Sequence, residues 1–103
     1  MKKRKSIAKI TEAEFAKICD ELAKDADTVC KFNSVGTEEE TLLWMLLGIL
    51  INYLSLSELE IPCFSGVPTA ETYRQAILHV LKTRREVPFD AEKYIDRMLL
   101  KKR

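Results

Sequence analysis

A chain of 103 residues that is 47% hydrophobic and 32% charged has the composition of one soluble globular domain, which excludes a disordered chain and a disulfide-stapled miniprotein. Net charge is only +1 but is unevenly placed: residues 1–9 hold five cations and no acid, residues 10–72 three lysines against twelve acids, and residues 73–103 nine cations against four acids. Basic ends around an acidic middle leave no broad basic field of the kind that nucleic-acid binders present.

Three cysteines, Cys19, Cys30 and Cys63, are an odd number with no C-x-x-C pair. Their spacing predicts neither a disulfide framework nor a redox motif and fits a reducing, cytoplasmic setting. The opening MKKRK is followed by SIAKITEAEF, which is too polar for the apolar region of a secretory signal, so no export signal is expected. Residues 1–9 read as a flexible basic arm and residues 10–103 as a single helical domain.

The first helix has an explicit start. Thr11 and Glu14 form a capping box, and Ile10 is placed to staple onto Phe15 across it. At about 100° per residue, Phe15, Ile18, Cys19, Leu22, Ala26, Val29 and Cys30 share one arc, with the charged residues on the other. Asn33, Ser34 and Gly36 predict a turn after Cys30.

Thr37 and Glu40 repeat the capping box, so a second helix is expected from about residue 38. Residues 42–51 are apolar apart from Gly48, a run shorter than the roughly 20 residues of a membrane span. Extending it to Leu59 admits Asn52, Ser55, Ser57 and Glu58, so a buried core helix is expected and no membrane attachment. Thr41, Gly48, Asn52 and Ser55 gather in one narrow arc, read as a strip facing solvent or, alternatively, as a groove where another backbone crosses. Trp44 and Tyr53 are expected in the core.

A connector follows from Ser57 to Pro68, in which Ser57 and Glu60 are able to cap one helical turn before Pro62. The third helix starts at Pro68 or Thr69, buries Tyr73, Ala76, Ile77, Val80 and Leu81, and fades over residues 84–86. The fourth has Asp90 as its N-cap, Phe89 stapling onto Tyr94, and Ala91, Tyr94, Ile95, Met98 and Leu99 inward. The predicted fold is therefore all-α, a compact bundle of four helices built around the hydrophobic second one.

Catalytic machinery is not expected. There is one histidine, His79, on the polar side of helix 3, and no glycine-rich phosphate loop; the acid pairs are neighbours in sequence and so point to different helix faces. The three cysteines and His79 lack the close-spaced pairs of a zinc site. No metal, cofactor or small-molecule ligand is expected. Arg74, Lys82 and Arg85 surround Leu78, which the wheel places outside the main buried stripe, so these four are candidates for contact with a protein partner, together with Gly48 and Asn52 on helix 2. The expected role is a small intracellular helical interaction module that self-associates through leftover apolar surface. The alternative is a nucleic-acid-associated regulator that uses Lys2, Lys3, Arg4, Lys5, Arg84 and Arg85 on phosphates.

Overall fold

The computed structural model describes residues 9–25, 38–64 and 66–101. Among the described residues the chain is helical and contains no strand. Helix α1 spans Glu12–Lys24, α2 Glu38–Tyr53, α3 Ala70–His79 and α4 Ala91–Lys101, and a single 3₁₀ turn at Glu58–Glu60 lies between α2 and α3. α3 continues without a break into a π-helical turn, Val80–Arg84, in which the Arg85 N–H donates to the Val80 carbonyl at 3.0 Å.

The predicted caps are in place. The Thr11 hydroxyl accepts the Glu14 N–H at 3.1 Å while the Glu14 carboxylate accepts the Thr11 N–H at 2.9 Å, which fixes the start of α1. Asp90 Oδ1 accepts the Glu92 N–H at 3.1 Å, and the Phe89 and Tyr94 rings meet at 6.4 Å as the staple requires. Thr69 caps α3 by accepting the Thr72 N–H, and the Glu60 carboxylate accepts the Ser57 N–H at 2.9 Å ahead of Pro62. Thr37, Ala26, Val29 and Cys30 lie outside the described residues; the described part of α1 closes at Lys24, capped by Asp25.

α1 packs mainly on α4 and α2 mainly on α3, with α1 against α2 joining the two pairs. Phe15 sits between Phe89 and Tyr94 at 5.8 and 6.2 Å, an aromatic cluster that seals α1 onto the start of α4. At its rim the Tyr94 hydroxyl donates to Glu12 and Arg97 pairs with Asp20 at 3.2 Å. α2 supplies Leu42, Leu43, Leu46, Leu47 and Leu50 to the core, with Leu54 just beyond its end. It is nevertheless packed on one side only. Among the described residues no helix is long and apolar enough to cross a membrane.

α2 ends in a Schellman turn. The Leu56 N–H donates to the Ile51 carbonyl at 3.0 Å and the Ser55 N–H to Asn52 at 3.3 Å, with Ser55 in the left-handed region at φ 53°. A side chain there is strained, and glycine would not be. Gly48 presents the opposite case, because a Cβ built on it meets nothing within 4 Å although it sits in mid-helix. Ser55→Gly is expected to stabilise the fold by about 0.5–1 kcal/mol and Gly48→Ala by about 1 kcal/mol. Urea unfolding at low protein concentration checks both, as a higher midpoint with an unchanged slope.

Candidate functional site

Arg85, expected at the surface, is instead the best-anchored polar side chain in the molecule, 6% exposed. One guanidinium nitrogen donates to the Leu54 carbonyl at 3.0 Å, the other to Glu60 Oε2 at 2.5 Å and to the Arg84 carbonyl at 3.3 Å. Its Nε is buried without a partner among the described residues. The physical reason for the burial is phase: Ile77, Leu81 and Arg85 follow each other at i+4 and continue the buried stripe of α3. The Arg85 guanidinium, with help from the Ser57 N–H, holds the Glu60 carboxyl down at about 2.

The other members of the cation-ringed patch are also placed differently. Leu78 is buried at 7%, so no exposed apolar centre exists there. Arg74 reaches across to α4 and pairs with Glu92 at 2.8 Å and Asp96 at 2.6 Å. α3 packs on α2, is tied to α4 through Arg74, and buries Ala76, Ile77 and Leu78 together, an arc wider than one stripe. Lys82 and Arg84 remain exposed and have no ion pair among the described residues. Of the cations named for phosphate contact, Arg84 is thus at the surface and Arg85 is not; Lys2, Lys3, Arg4 and Lys5 lie outside the described residues.

On α2 the structure opens the strip foreseen in the sequence and enlarges it. Gly48, Asn52 and Ser55 are exposed, whereas Thr41 at the first turn is buried at 4%. Trp44 and Tyr53, expected in the core, are 48% and 42% exposed. The core side of α2 is filled by leucines at the positions between, and Trp44 falls on the outward arc with Gly48 and Asn52. Tyr53 lies to one side and bonds through its hydroxyl to Glu14 of α1, an acceptor that holds its proton more tightly and lowers the Glu14 carboxyl. Met45 and Ile51 are half-buried flanks of the same outward arc. No charged residue occurs between Glu40 and Glu58, so this face is neutral as well as apolar.

Two concavities lie elsewhere. A groove of about 340 Å³ beside α3 is lined by Pro62, Cys63, Phe64, Thr72, Gln75 and His79. A larger cleft of about 630 Å³ separates the start of α1 from the α3–α4 connector, lined by Ile10, Val87, Pro88 and Phe89 with Lys9, Glu12, Arg85 and Glu86. Cys19 is buried in the core and its thiol is pushed up to about 12, chiefly by desolvation, so it is not a nucleophile near neutral pH. Among the described residues no group of three or more His, Cys, Asp or Glu is placed to hold a metal ion.

No protein-family model matches this chain, and no curated protein or solved structure was found to resemble it. The surface that stands out is therefore defined by its own geometry: the outward arc of α2, with a half-exposed tryptophan beside an open glycine.

The Arg85 anchor has a pH signature. Glu60 titrates at about 2 in the folded chain, against about 4.3 for an ordinary glutamate. Its contribution is complete above the higher value and is lost as pH falls through the lower one. Urea midpoints are expected to drop between about pH 5 and pH 2, and Glu60→Gln to flatten that slope, while the exposed Glu58→Gln leaves it unchanged. Arg85→Ala, which strips the Leu54 carbonyl and Glu60 of their buried donor, is expected to cost about 3 kcal/mol at neutral pH.

Proposed function

We propose that this protein is a small helical protein–protein interaction module that presents the outward face of α2 to an apolar helical surface. The observation that carries this reading is Trp44, 48% exposed next to Gly48, whose missing side chain leaves a notch that none of the described residues enters within 4 Å. Tryptophan supplies large contact area at low entropic cost and is enriched among residues that dominate binding energy. An uncharged face also suits the centre of an interface, where charged residues are depleted.

The reading assigns no catalytic step. Nucleic-acid binding gains little support from the described residues, since Arg74, Arg85 and Arg97 are engaged with carboxylates and, of the described cations named for phosphate contact, Arg84 alone stands exposed.

The test is a photo-reactive phenylalanine at the exposed Asn52, irradiated in the native cell. Adducts to protein are expected, and Trp44→Asp is expected to abolish them while leaving the helical circular dichroism intact. Absence of adducts, or adducts indifferent to Trp44→Asp, overturns the reading.

A further inference from the structure

We draw no further inference here: the strongest candidate, the outward apolar face of α2 around Trp44 and Gly48, belongs to the site already described, and nothing among the described residues shows what covers it.

Discussion

One guanidinium joins three segments that are far apart in sequence. Arg85 ties the end of α3 to the Leu54 carbonyl just past α2, 31 residues earlier, and to the 3₁₀ turn of the connector. α2 has no base in its final turn, so the negative end of its dipole lacks compensation from its own side chains. Arg85 provides it from elsewhere in the chain. The π turn at Val80–Arg84 and the left-handed Glu86, at φ 49°, shape the backbone that delivers it. Such a buried pair adds little over a well-packed apolar replacement, but removing one partner strands the other. Its consequence here is positional: with both Leu54 and Glu60 held, the connector cannot slide along α2, and α3 is fixed against the leucine face.

Local signals in the sequence were strong enough to place the helices. Caps and staples depend on residues two to five apart, and Thr11 with Glu14, Asp90 with Glu92, and Phe89 with Tyr94 all meet as their spacing requires. The fold class followed from them. Of the faces, the stripe predicted for α1 contains Phe15, Cys19 and Leu22, which are buried. α3 buries Ala76, Ile77 and Leu78 together, an arc wider than one stripe, so Leu78 is enclosed although a single-stripe wheel leaves it outside.

The candidate site was half legible. Gly48, Asn52 and Ser55 were marked by being small or polar in an apolar run, and they are exposed. Trp44 was hidden by its own chemistry, because hydropathy places a tryptophan among leucines in the core and only the packing side of α2 reveals otherwise. Arg85 failed in the opposite direction. A charge near a helix end reads as solvated, yet its i+4 relation to Leu81 and Ile77 was a signal that it continued the buried stripe, and Glu60 was the acid close enough to satisfy it. Type and position gave conflicting advice at both residues, and position was right each time.

That rule bears on Gly48 itself. A glycine in mid-helix costs about 1 kcal/mol relative to alanine. Inside a bundle such a cost is commonly explained by a neighbour too close to admit a Cβ, and at Gly48 no neighbour among the described residues lies within 4 Å. Nor is it a turn, since α2 continues for five residues to Tyr53. Among the described residues there is thus a local cost without a local return, in a helix that opens on an acidic first turn and closes in a Schellman turn. Where the levels of a structure disagree at one residue, the compensation is sought at a contact that the isolated chain does not make. A half-exposed tryptophan one turn away puts that contact on the same face, so the stability lost at Gly48 and the apolar area left open at Trp44 have a common explanation in a contact made by the outward face of α2.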